Sequence, residues 1–376
     1  MDYTGDSETL YERGDSNMVT TSICTKCVLK SGTPGITFDK SGTCNYCLTY
    51  TPRKVEGEDK LVAILKRFKK KGGRYDCMVG VSGGRDSTYT LWKLVNDSQM
   101  RVLAVNYKNP FTSGQARENM RRAIQILKVD FFDWEFPNDV HRRSTAKALR
   151  AWSHHPSSAL IPIVCTHCKT MWPTLYRIAR DHETPLIVVG SNPLETASFK
   201  QAGLGGARYY HKPSLLPRLI SKSISELIKN PRYLTSCSWG TVLKMYLCAG
   251  HNSPYLRWRF KDITVVRLFD YLRWNEKEVL STITDNLGWQ KSMEVESSWR
   301  FDCRLDYVRR LMYGATVGVT ELRDLFSKMI REGMISRSEA LNRLETEDVI
   351  PETVADSVLS DLGMNMANLN LATPLV

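Results

Sequence analysis

The chain has 376 residues, of which 42% are hydrophobic and 24% charged, a globular balance with room for two or three domains. Its longest apolar runs, such as Leu186–Val189, are far too short to cross a bilayer, so no membrane span is expected. A formal net charge of +12 favours an acidic partner: a nucleotide, a phosphosugar or a nucleic acid. The first residues lack a basic start and an apolar core and are not read as a signal peptide. Residues 1–20 are expected to form a mobile polar extension. Ten cysteines without such a leader point to a cytoplasmic chain that uses thiols for metal or redox chemistry rather than disulfides.

Residues 21–50 form the first unit. Cys24-Thr-Lys-Cys27 precedes Cys44-Asn-Tyr-Cys47, with sixteen residues between the pairs. Two C-x₂-C knuckles at that distance are the sequence form of a four-thiolate zinc ribbon. Gly32, Pro34, Gly35, Ser41 and Gly42 supply turns between them. So short a unit has little core, and Zn²⁺ would supply its stability. Four thiolates leave no open coordination position, which makes the role structural.

Residues 51–74 read as a linker and a basic helix ending in Lys66-Arg-Phe-Lys-Lys-Lys. That run is taken as a solvated helix face. It lacks the aromatic interleaving of RNA-binding segments, so nucleic acid is not expected as a partner. An apolar strand over 75–81 follows, then the turn Val81-Ser-Gly-Gly-Arg-Asp-Ser87, then a helix over 87–97. Backbone N–H groups of Gly83, Gly84 and the first helical turn would converge on one point, where the helix dipole favours a phosphate. Without a Cβ, Gly83 and Gly84 are expected to let phosphates approach the backbone. Ser82 and Ser87 can donate hydrogen bonds, and Asp86 can hold Mg²⁺. The turn is not a Walker A loop, which needs G-x-x-x-x-G-K-[ST].

Strand 101–107, helix 114–128, strand 129–136, a helical stretch over 138–153, a helix over 167–182 and strand 185–191 continue the alternation. This rhythm predicts a doubly wound parallel α/β sheet. Ligands in such sheets sit beyond the carboxyl ends of the strands, where Ser82–Asp86, Asn106 and Gly190–Asn192 fall. After residue 192 the alternation is expected to stop. Asn275-x-x-Glu278 and Ser336-x-x-Glu339 are capping boxes that open later helices, and 304–361 is mostly helical. Cys165-Thr-His-Cys168 is a third C-x₂-C. A redox dithiol, half of a metal site and two core thiols all fit it. Joined by Cys303, it could bind a 4Fe–4S cluster with one open iron, or a second zinc.

The turn resembles the PP-loop of the ATP pyrophosphatase superfamily, S-G-G-x-D-S, with Arg85 where Lys is common. The wider order of motifs is similar to the bacterial N-acetyl sugar amidotransferases of lipopolysaccharide O-antigen and flagellar-glycan biosynthesis. The matching pieces are the two knuckles, Gly35-Ile-Thr-Phe-Asp39, the turn at 81–87, Glu118-Asn119, Val164-Cys-Thr-His-Cys168 and Pro185–Pro193. Leu287-Gly-Trp289, Asp302-Cys303 and Ile330–Ala340 complete the series.

The resemblance implies an adenine-nucleotide hydrolase-like fold: a zinc ribbon, a PP-loop ATP-binding domain over 51–200, a substrate region over 201–303 and a helical part over 304–376. It implies that ATP activates the acetamido oxygen of a nucleotide-linked N-acetyl sugar and that ammonia replaces that oxygen. The ammonia would come from a glutaminase subunit resembling the histidine-pathway amidotransferase; no glutaminase triad is seen in this chain. By position, Val81, Ser82, Gly83, Gly84, Arg85, Asp86 and Ser87 would bind the ATP phosphates and Mg²⁺, with Ser82, Asp86 and Ser87 closest to the chemistry. Asn106 would approach the adenosine, and Gly190 and Asn192 would form the second lip of the cleft. Glu195 would be a second Mg²⁺ ligand or a substrate contact, or else a solvated loop carboxylate. Ser191 stands where the family often carries Glu. The stretch 200–260 would shape the sugar pocket, with Arg257, Arg259 and Lys261 read as a solvated basic face. The rival resemblance is to tRNA thiolases and other ATP-dependent sulfur transferases, which also join knuckles, a PP-loop and three cluster cysteines.

Overall fold

A computed structural model of the chain describes residues 22–69, 73–196, 198–199, 224–233 and 253–369, with isolated positions at 221, 247–248, 250–251 and 371. The expected extension over 1–20 and most of the stretch expected to shape a sugar pocket lie outside the described residues.

Five parallel strands form one sheet. They are β1 (Cys77–Gly80), β2 (Val102–Tyr107), β3 (Asp130–Trp134), β4 (Leu186–Val189) and β5 (Thr264–Arg267), in the order β3-β2-β1-β4-β5. The sequences of β1, β2 and β4 are nearly continuous apolar runs because both of their faces are covered, whereas the edge strands β3 and β5 are largely open. Successive side chains alternate between two cores. Cys77, Val79, Val102, Ala104, Leu186 and Val188 face one core. Met78, Leu103, Val105 and Ile187 face the other, against Leu175, Tyr176, Ile178 and Ala179. The first core is closed by α1 (Glu58–Phe68), α2 (Arg85–Trp92) and α3 (Gly114–Leu127). The second is closed by a helix over Trp172–Asp181.

Two expectations need correction. The alternation does not stop at 192, because β5 extends the sheet beside β4. Only Val266 of β5 is fully buried, so a short edge strand leaves too weak an apolar pattern to read. The helical stretch expected over 138–153 is α4 (Val140–His154), but the expected helix over 167–182 is two helices, α5 (Thr166–Thr170) and α6 (Trp172–Asp181). Pro173 lies in the first turn of α6, where its missing N–H leaves no bond unmade.

The C-terminal part of the described chain is mostly helical: α7 (Glu276–Leu287), α8 (Leu305–Val317), α9 (Glu321–Arg331), α10 (Arg337–Glu347) and α11 (Glu352–Asp361). Asn275 Oδ1 accepts from the N–H groups of Lys277 and Glu278, and Ser336 Oγ accepts from Glu339 N, so both expected caps form. The N-terminal knuckle unit docks on this helical region. Arg337 Nε donates to Cys24 O and Cys27 O at 3.1 Å, and Arg323 Nη1 donates to Val28 O at 3.0 Å. Among the described residues no helix is long and apolar enough to cross a membrane.

Candidate active site

A cleft of about 440 Å³ opens at the carboxyl ends of β1, β2 and β4. Its floor is the turn from β1 into α2. Gly83 adopts φ +79°, and a Cβ there would lie 1.8 Å from Ala116 O on α3. Gly83 is therefore demanded by helix packing, not by phosphate access as its sequence context suggests. Gly190 is similar, since a Cβ would meet Thr90 Oγ1 of α2 at 2.1 Å. Gly84 does face the cleft side, where a Cβ would stand 3.0 Å from Asp302 Oδ2. Ser82 Oγ and Ser87 Oγ lie 3.1 Å apart, so each hydroxyl can turn between its neighbour and a ligand.

Residues 274–304 hold this turn from above, and the local sequence gives little sign of it. Trp289 Nε1 donates to Gly83 O at 3.0 Å. Trp274 Nε1 donates to Asp86 Oδ1 at 2.8 Å. Arg85 Nη1 donates to Glu276 Oε1 at 2.5 Å and to Ser298 Oγ at 2.9 Å, and the guanidinium lies over the Trp274 ring. Glu276 is shared with Arg343 of α10. Arg85 is thus fixed to the C-terminal helices in a planar, multiply bonded geometry that Lys could not reproduce.

Four carboxylates line the cleft: Asp86, Glu195, Asp302 and Asp306. Burial pushes Asp86 up to about 7, opposed by the Arg85 charge and aided by Glu195. Burial also raises Asp302, opposed by a hydrogen bond with the Ser82 hydroxyl. Glu195 is not a solvated loop carboxylate. It lies 3.4 Å from Arg300 Nε and 4.0 Å from Arg85 Nη2. Arg300 continues to Asp306 and Glu321, which also bind Arg309. Two buried residues in the cleft carry donors without a hydrogen-bond partner: Arg85 at Nε and Nη2, and Asn192 at Nδ2. Asn192 uses Oδ1 to cap Leu194 N. Asn106 lines the cleft, but its amide donates to Asp133 Oδ1 at 2.8 Å.

Cys165, Cys168 and Cys303 line the same cleft, so the fold brings together thiols from distant parts of the chain. An antiparallel bridge between Thr112 and Cys303 carries the third, and Asn109 Nδ2 donates to its sulfur at 3.4 Å. They are not gathered as a single small ion would require. Among the described residues only Cys24, Cys27, Cys44 and Cys47 bring their ligand atoms within 4.8 Å of one another. In that cluster Cys27 and Cys44 sulfurs are 3.7 Å apart, and Cys24 and Cys47 sulfurs 4.0 Å. Four sulfurs about 2.3 Å from a central Zn²⁺ stand roughly 3.8 Å from each other, so the donors fit zinc. Hydrogen bonds from Cys44 and Cys47 lower Cys27 to about 2, and the same bond pushes Cys44 up to about 12. A dication would let all four ionise.

Ser298, Arg300, Asp302, Asp306 and Arg309 complete the cleft, Trp274 reaches it only through Asp86, and none of them was read as a site residue from the sequence. The signal that could have found one of them was the pairing of Asp302 with Cys303.

The five-stranded parallel sheet, with the Ser-Gly-Gly-Arg-Asp-Ser turn at the end of its central strand, defines a doubly wound α/β fold. No family model matches the chain. An uncharacterized protein of Methanocaldococcus jannaschii is 32% identical over 111 residues, 28% of this chain and 40% of that protein. The chain therefore spans less than half the length of this relative. Solved structures that it resembles include the tRNA thiolase NcsA of Methanococcus maripaludis with its 4Fe–4S cluster, at 14% identity and TM-score 0.33, covering 87% of this chain and 90% of that one. The NMN synthetase of Francisella tularensis gives 17% identity and TM-score 0.27, covering 44% and 68%. The ammonia-dependent NAD synthetase of Campylobacter jejuni gives 15% and 0.27, covering 50% and 90%.

Proposed function

We propose that the chain is an ATP-dependent enzyme that adenylates a carbonyl oxygen of its acceptor, releases pyrophosphate, and lets a nucleophile displace AMP. One observation carries this reading. The turn Ser82–Ser87 lies at the carboxyl end of the central strand, on the floor of a cleft that also presents the unpaired buried donors of Arg85 and Asn192. In this reading Ser82, Ser87 and the N–H groups of the first α2 turn hold the pyrophosphate. Asp86, with Trp274 fixing its carboxylate, would be a Mg²⁺ ligand; the ion would neutralise charge on the leaving pyrophosphate. Arg85 supplies a fixed positive charge beside Asp86 and Glu195.

The acceptor proposed is the acetamido group of a nucleotide-linked N-acetyl sugar, as the motif series suggests. Its amide oxygen attacks the α-phosphorus and pyrophosphate leaves. Ammonia then adds to the amide carbon, AMP departs with the former amide oxygen, and an acetamidino group remains. The ammonia would come from a partner glutaminase. Adenylation is required because an amide oxygen is otherwise a poor leaving group. A second reading, sulfur transfer to tRNA, is favoured by one observation: Cys165, Cys168 and Cys303 line the ATP cleft. Their wider spacing suits a cluster better than a lone ion, and such a cluster would present sulfur to the activated carbon.

The two readings separate in one anaerobic experiment. The purified chain is given ATP, Mg²⁺, ammonium and a panel of UDP- and CMP-linked acetamido sugars, and sugar masses are followed. Replacement of oxygen by NH supports the amidotransferase. No change there, with sulfur gained by tRNA when sulfide is supplied, transfers the assignment to the thiolase reading.

A further inference from the structure

Asp302 has no role in the scheme above, yet it overhangs the phosphate turn. Its Oδ2 and Cγ lie 3.0 and 3.1 Å from the position a Gly84 Cβ would take, and its carboxylate shares a hydrogen bond with the Ser82 hydroxyl. The position is fixed by backbone. Ser113 N donates to Asp302 O at 3.1 Å, Arg304 N donates to Phe111 O at 2.8 Å, and Cys303 bridges to Thr112. Asp302 is therefore built into the cleft.

Its neighbours state two opposite demands. Arg85, 3% exposed, and Asn192, 4% exposed, hold buried N–H groups without a hydrogen-bond partner at the cleft, those of Arg85 only loosely faced by Asp86 at 3.7 Å and Glu195 at 4.0 Å, so an anion could still accept from them. Asp86, Glu195 and Asp302 line the same cleft and would repel it. A polyphosphate and these carboxylates can share the space when a divalent cation lies between them. Mg²⁺ is ordinarily held by one or two carboxylates plus phosphate oxygens.

We propose that Asp302 is, with Asp86, a carboxylate ligand of the divalent cation that accompanies the ATP pyrophosphate. The segment 289–304 then closes the metal site as well as bracing the turn. The inference rests on the ATP reading of the cleft.

The test uses the full chain, Mn²⁺ as the metal and α,β-methylene-ATP as an uncleaved nucleotide. Electron paramagnetic resonance gives the Mn²⁺ affinity of the nucleotide complex, and calorimetry in EDTA gives the nucleotide affinity without metal. For Asp302→Asn, Mn²⁺ affinity is expected to fall at least about tenfold, with metal-free nucleotide affinity unchanged or higher because a repulsive charge is gone. Asp302→Ser, which adds no bulk, serves if the amide variant melts below the assay temperature. Unchanged Mn²⁺ affinity would overturn the proposal while leaving the ATP reading intact. An equal loss of nucleotide affinity with and without metal would also overturn it, since Asp302 would then only position Ser82. A wild-type chain that binds no nucleotide under either condition would sink the ATP reading, and this inference with it.

Discussion

Gly83→Ala distinguishes packing from phosphate access at the turn. The new Cβ would lie 1.8 Å from Ala116 O and 2.6 Å from its carbonyl carbon, both backbone atoms of α3. The φ of +79° adds about 1–2 kcal/mol for a non-glycine residue. Overpacking of a closed interface adds about 1–3 kcal/mol. Together these cost roughly 2–5 kcal/mol, a large share of the ~5–15 kcal/mol that holds a folded protein. Gly84→Ala differs, because its Cβ meets only side-chain ends, the Asp302 carboxylate at 3.0 Å and Ser82 Oγ at 3.3 Å. Its cost should fall on ATP affinity, with stability within about 1 kcal/mol of wild type. Urea unfolding read by tryptophan fluorescence, with unchanged m-values, measures both variants. If Gly83→Ala is as stable as wild type, or Gly84→Ala the less stable of the two, the packing assignment is wrong.

Other variants probe separate parts of the account. The Cys24, Cys27, Cys44 and Cys47 cluster should bind one Zn²⁺ per chain, and Cys44→Ser should lose the metal and the thermal stability it gives; a metal-free wild type of equal stability would contradict this. Trp274→Phe removes a donor to Asp86 Oδ1, and should weaken Mg²⁺–ATP binding by about 0.5–1.5 kcal/mol, read by calorimetry. Burial, then the neighbouring His167, lowers His141 from 6.5 to about 3. The folded chain thus binds fewer protons there than the unfolded chain, so this stability is full above pH 6.5 and is lost as pH falls toward 3. Unfolding at graded pH should show a slope across that window that His141→Gln flattens, and an equal slope in both proteins would refute it.

The parts of the site written in contiguous residues were legible in the sequence. The turn Ser82–Ser87, the two knuckles and the Asn275 and Ser336 caps each depend on fixed local spacing. The strands β1, β2 and β4 were legible because strands buried on both faces are strongly apolar. Contacts made across the fold were not. Nothing local to Trp274, Trp289, Ser298 or Asp302 says that they meet a turn some two hundred residues earlier. Gly83 was read as making room for phosphate because its neighbour in space, Ala116, is unknowable from the motif. Arg85 was placed among the phosphate-binding residues with no sign of what anchors it, which is Glu276 and Ser298 on one edge of the guanidinium.

The most direct test of the central claim is the fate of ATP. Phosphorus NMR of ATP incubated with the chain, Mg²⁺, ammonium and the acetamido-sugar panel should show AMP and pyrophosphate in equal amounts, and neither product with Asp86→Ala. ADP and orthophosphate from the wild-type chain would contradict adenylation and the reading of the cleft built on it.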